Sequence, residues 1–181
     1  MFRKNIAIGI VASLLTLQVS KIQAETNQYV YVLPLELASE AAAEAIRVCE
    51  KSGYHVSATV VDVSGVVKTL AKGDKSTIHT KDTSYRKAYT AVTMGPIFKF
   101  ETTGQFVDKL GKIPGSSDVG KVPSATALAN LPDIILLQGG VVIRAKGEIV
   151  AAIGVGGAPG GDKDEVCAQA GVAKILDRLP K

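Results

Sequence analysis

Three short apolar runs, 134–137, 141–145 and 149–155, are separated only by Gln138-Gly139-Gly140 and Lys146-Gly147-Glu148. A parallel crossover needs about a dozen residues or more, so linkers this short compel antiparallel neighbours. A second β signal lies at 55–62 and 66–71, rich in Val and Thr and broken at Ser64-Gly65, which predicts a hairpin. Helical spacing fills most of the remainder. In 35–52, Leu37, Ala41, Ala45 and Val48 repeat beside Ala38, Ala42, Ile46 and Cys49, with Pro34 suited to the first turn and Gly53 to the end. A second helix, 80–94, carries Tyr85, Ala88, Tyr89 and Val92 on one stripe until Gly95-Pro96 stops it. A further helical stretch covers 98–110, an exposed Gly/Pro/Ser loop 111–124, and a helical turn 125–130. The last helix, 164–179, has Val166, Ala170, Ala173 and Leu176 as its apolar stripe. The order of helix, hairpin, helices, three-stranded meander and helix gives an α+β domain.

The N-terminal stretch is of another kind. Arg3 and Lys4 precede an apolar segment at 6–19, and Lys21-Ile22-Gln23-Ala24 ends on a small residue. This pattern predicts a cleaved secretory signal over 1–24, then an arm at 25–34 and a single domain at 35–181, placing the mature protein in the periplasm or outside the cell. The run is too short for a membrane span, and no Cys follows Ala24 to accept a lipid. The whole chain carries 21 basic and 17 acidic residues, +4; without Arg3, Lys4 and Lys21 it is nearly neutral. No basic stripe is left to serve as a nucleic-acid footprint.

Cys49 and Cys167 fall in a compartment that permits disulfides. A bridge between them would close a long loop, worth about 4–5 kcal/mol by chain entropy. Each would equally suit a buried apolar helix position, and residue physics leaves the two readings level. With His55 and His79 the only histidines, the pair does not complete a metal site.

The Gly-rich segment 154–161 follows a strand and precedes a helix, but a dinucleotide fingerprint fails at Pro159 and no Lys-Ser or Lys-Thr follows it for a phosphate loop. Asp162, Asp164 and Glu165 crowd the helix entrance, where they cap amides and repel anions, so a structural loop is the better reading. At the second helix, His79, Thr83, Arg86 and Thr90 project opposite the Tyr85/Ala88/Val92 stripe. An imidazole and a guanidinium two turns apart answer the needs of a haem iron and its propionates. The plainer reading, a solvated face with an incidental His, has precedence on residue physics. Met94 is a soft second ligand or core filler, and His55 starts a strand. No acid/base pair or nucleophile motif assigns a catalytic residue.

Several of these segments, in order, resemble the GlcG/HbpS family: Leu70 with Gly73-Asp74, His79-Thr80, Arg86-Lys87-Ala88-Tyr89-Thr90-Ala91, Gly139-Gly140-Val141-Val142-Ile143, the run from Gly154 to Asp162, and Asp164-Glu165 with Cys167-Ala168 and Ala170-Gly171. The resemblance covers nearly all of 35–179. It implies a profilin-like or PAS-like α+β fold, a five-stranded antiparallel sheet with N- and C-terminal helices packed on it, and assembly as a homo-oligomer. It also implies binding of haem or a related tetrapyrrole. Both His and Thr have been implicated as iron ligands among family members, which carries ligation to His79 first and Thr80 second. Arg86 and Lys87 are expected at the propionates, by the face argument. The expected function is an exported haem-binding protein for capture, buffering or sensing. The alternatives are an enzyme acting on haem by oxidative degradation or on a small organic acid, and an extracytoplasmic partner of a sensor protein.

Overall fold

The computed structural model describes residues 31–111 and 127–181. The expected signal at 1–24, most of the arm and nearly all of the 111–124 loop lie outside them. Helix α1 (Leu35–Lys51) starts after Pro34 and buries Leu37, Ala38, Ala41, Ala42, Ala45 and Cys49, the face its spacing predicts. Strands β1 (Ser57–Asp62) and β2 (Val67–Lys72) form the expected hairpin. Its turn is closed by the Asp62 carboxylate, which accepts the Ser64 and Val66 amides. Helices α2 (Thr80–Phe98) and α3 (Thr103–Gly111) follow, then β3 (Gly140–Ala145), β4 (Glu148–Gly156), α4 (Gly161–Ile175) and a 3-10 turn, Leu176–Arg178. The sheet order is β2-β1-β4-β3, antiparallel throughout.

Alternation along β1 and β4 divides the interior. Ala58, Val60, Ala151, Ile153 and Val155 join α1 and α4 in one core. Val61 and Ala152 turn the other way, with Val142, onto Ala88, Ala91 and Val92 of α2. Each large aliphatic chain buried in this way contributes about 1.5–3 kcal/mol. The α2 face of the sheet is cut back to small residues: a Cβ added at Gly154 would lie 2.1 Å from the Ser84 carbonyl oxygen. The helix therefore lies almost on the strand backbone. Hydroxyls fasten it there, with Ser57 Oγ 2.7 Å from Thr80 Oγ1 and Thr59 Oγ1 2.8 Å from Ser84 Oγ. On the opposite face, Cys49 and Cys167 are joined, their Cα atoms 5.6 Å apart, which ties α1 to α4. A smaller cluster of Met94, Phe100, Phe106, Leu110 and Ile134 lies under α3, and Met94 is core there.

Besides the later start of α3 at Thr103, the structure departs from expectation in four places. Among the described residues the sheet has four strands, not five, because 134–137 joins no ladder. Side chains of α2 take up its backbone instead: Arg86 donates to Ile134 O at 2.6 Å, and Thr90 Oγ1 accepts the Ile135 amide at 2.9 Å. The meander is thus a β3–β4 hairpin, whose turn places Lys146 and Gly147 at φ of 52° and 80°, the positive pair that a two-residue loop favours. Second, α2 runs through Gly95-Pro96 to Phe98 and ends where Lys99 turns left-handed and donates to Gly95 O. Third, α4 begins at Gly161, earlier than expected, and gives way to the 3-10 turn after Ile175. Fourth, it buries Asp164, Cys167, Ala168, Gly171 and Ile175, leaving Val166 and Leu176 exposed. The disulfide and the close seat of Gly171 over the Ala41 carbonyl fix that rotation, and neither follows from an apolar stripe.

Candidate functional site

The turn between β2 and α2 is held from beneath by hydroxyls. Ser76 Oγ donates to Gly73 O at 2.7 Å. Thr80 Oγ1 donates to Thr77 O at 2.7 Å, so its single proton is committed and Ser57 must be the donor of the Ser57–Thr80 bond. This buried chain, Ser57 to Thr80 to the Thr77 carbonyl, pins the last turn before the helix to strand β1. His79, at the helix entrance, is exposed above it, with Nδ1 3.1 Å from Thr77 Oγ1.

His79 borders a cleft of about 200 Å³ shared with Thr83, Lys87, Leu137, Ala158 and Asp164, and with the backbone of the Gly-rich loop. Its floor is an ion pair: Lys87 Nζ lies 2.6 Å from Asp164 Oδ2, and both side chains are buried. The other Asp164 oxygen accepts the Ala158 amide at 2.9 Å. Burial pushes the Asp164 carboxyl above the usual carboxylate range, against the opposing pull of Lys87 and the Ala158 and Gly157 amides. This pair binds α2 to the first turn of α4 and shapes the cleft wall.

The four residues expected at the site are therefore distributed in three ways. His79 and Lys87 share the cleft. Thr80 is fully buried, its hydroxyl engaged by Ser57 and Thr77, so it does not face the cleft. Arg86 is half-buried and directed to Ile134 O, and with Thr90 it forms the seat of the 134–137 segment instead of a solvated face. Lys87 is already neutralised by Asp164, which weakens it as an anion clamp. Asp164 and Leu137 are the residues that sequence reasoning did not place here; an acid in a first helical turn reads as a cap, and its buried partner is 77 positions away. The Gly-rich segment 154–161 is close-fitting backbone, and Gly157, Ala158, Gly160 and Gly161 of it line the cleft.

Among the described residues no group of three or more His, Cys, Asp or Glu is arranged to hold a metal ion, and no helix is long and apolar enough to cross a membrane. No curated protein matches the chain at a significant level. A solved HbpS from Streptomyces reticuli, a double mutant, is 32% identical, covers 97% of this chain and 98% of its own, and superposes with a TM-score of 0.70. A second HbpS structure is 36% identical over 83% of this chain and 94% of its own, with a TM-score of 0.69. A PduOC–haem complex is 18% identical, covers 79% and 94%, and shares the fold at a TM-score of 0.65. The family model for haem degrading protein HbpS-like matches residues 33–173. By that match and by its likeness to the HbpS structures, the chain belongs to the HbpS-like family.

Proposed function

We propose that this is an exported haem-binding protein, serving haem capture, buffering or sensing, with His79 as the axial ligand. The observation that carries the reading is the exposed imidazole at the lip of a partly apolar cleft, in a chain of the HbpS-like family. A porphyrin brings four nitrogens to its iron and asks the protein for one or two more ligands, which suits a lone histidine better than a bare ion would. Leu137, 49% exposed, lines the cleft, and Ile78, 80% exposed, adjoins His79, giving aliphatic surface for a flat ring. Haem in the PduOC complex, on the same fold, supports a tetrapyrrole as the ligand class.

A cleft of about 200 Å³ is below the roughly 300–1,000 Å³ that encloses a drug-sized ligand. The ring would then lie largely across the lip with one face exposed, where a second copy of the chain or a sensor protein would cover it. Bound haem would supply a redox-active iron; the chain's own part is to hold His79 in place and to exclude water beside Leu137.

The test is hemin titration of the protein lacking 1–24. Wild type should give a Soret shift that is lost or much weakened in His79→Ala. An undiminished shift in the variant removes the ligand assignment, and no shift in wild type removes the function. The family's description as haem degrading favours one second reading, oxidative breakdown of the bound ring. It requires biliverdin, carbon monoxide from the lost meso carbon, and free iron when oxygen and a reductant are supplied, in amounts that His79→Ala reduces.

A further inference from the structure

A histidine on the surface can carry its neutral proton on either ring nitrogen and can turn about two side-chain bonds, so exposure alone does not make it a ready ligand. Here one contact holds the ring, and because a hydroxyl can either donate to Nδ1 or accept its proton, the role it takes sets the tautomer. The Thr77 hydroxyl lies 3.1 Å from His79 Nδ1. Thr77 is itself immobilised from below: its carbonyl accepts the Thr80 hydroxyl at 2.7 Å and the Thr80 amide at 3.2 Å, and Thr80 is held by Ser57 on strand β1. Lys72 adds a bond from its ammonium to Ser76 O at 2.5 Å, bracing the other end of the same turn.

We infer that Thr77 is a positioning residue for His79: its hydroxyl accepts the Nδ1 proton, fixes that tautomer and leaves the Nε2 lone pair outward. The purpose of this arrangement rests on the haem-binding reading, but the arrangement itself does not. Hydrogen bonds that orient a ligating imidazole ordinarily change metal affinity by about 10–100-fold. On this view the hydroxyls of Thr77 and Thr80 have separate tasks. Thr77 acts on the ring, whereas Thr80 acts on the backbone that carries Thr77.

The experiment compares wild type, Thr77→Val and Thr77→Ser. Long-range proton–nitrogen NMR on the haem-free protein reads the tautomer of His79, assigned by its disappearance in His79→Ala. Wild type and Thr77→Ser should favour the Nδ1-protonated form, and Thr77→Val should lose that preference. Hemin affinity should fall about 10–100-fold in Thr77→Val and return in Thr77→Ser. Equal tautomer populations in wild type and Thr77→Val overturn the inference, as does an affinity loss with no tautomer change. A tautomer change in a protein that takes up no hemin sustains the inference and removes the haem-binding reading instead.

Discussion

Lys87 and Asp164 show how one buried contact reaches from stability to the site. Charges taken out of water are tolerated only as a pair, so removing one partner costs about 3–5 kcal/mol, whereas replacing both with apolar groups is often neutral or better. Lys87→Met should therefore lower the urea midpoint sharply, and Lys87→Met combined with Asp164→Leu should recover most of the loss. The pH dependence follows from the direction in which Asp164 is shifted. Its carboxyl is raised by burial, so the folded chain retains a proton where the unfolded chain has released it. The stabilisation this gives is full below the unfolded value and is lost as pH rises through the folded one. The Lys87→Met penalty should thus be smaller in mildly acidic than in mildly alkaline solution; a penalty independent of pH would count against a raised Asp164. The exposure of His79 was legible in the sequence because a polar ring at a helix entrance has few ways to be buried. The occupations of Arg86 and Thr90 were not, because a helical projection shows which face avoids one stripe and says nothing about a second segment that packs there.

At the level of elements, the sheet face under α2 is defined by what it lacks. Ser57, Thr59, Ala152, Gly154 and Gly156 leave room for a helix to approach closely, and a methyl group at Gly154 would collide with helix backbone, not with a yielding side chain. Gly154→Ala should destabilise the fold by about 1–3 kcal/mol or more, measured by chemical denaturation, with near-ultraviolet circular dichroism changing as Tyr85 and Tyr89 of α2 move. Helix α1 and the β1–β2 hairpin were readable because alternation, spacing and turn residues agree there. The 134–137 run has the composition of a strand, but its backbone partners are a guanidinium and a hydroxyl, so composition alone misassigned it. In α4 the apolar stripe pointed to Val166 and Leu176, while a disulfide, a glycine contact and an ion pair turned the helix another way. Such constraints join residues far apart in sequence and leave no local trace.

For the molecule as a whole, helices α1 and α4 cover one face of the thin sheet and α2 covers the other, and the cleft opens where α2 and α4 converge. The class of fold was legible, since linkers too short for a crossover dictate antiparallel strands. The size of the cleft was not, because it depends on how closely α2 seats on strand β4 at Gly154 and Gly156 and on the Lys87–Asp164 pair that ties α2 to α4. The bridge between Cys49 and Cys167 acts at this scale, spanning 118 positions. Replacing both cysteines with Ala should lower stability by about 4–5 kcal/mol if chain entropy governs it, and reductant should do the same to wild type and nothing to the variant. That bridge also makes the protein a covalent ring from α1 to α4, with the hairpin, α2 and the cleft walls all inside it. A single peptide cut anywhere within the ring leaves one molecule whose pieces remain close together. A nicked form should accordingly run as one species without reductant and keep its capacity to refold, so that cleavage alone does not release a fragment bearing His79.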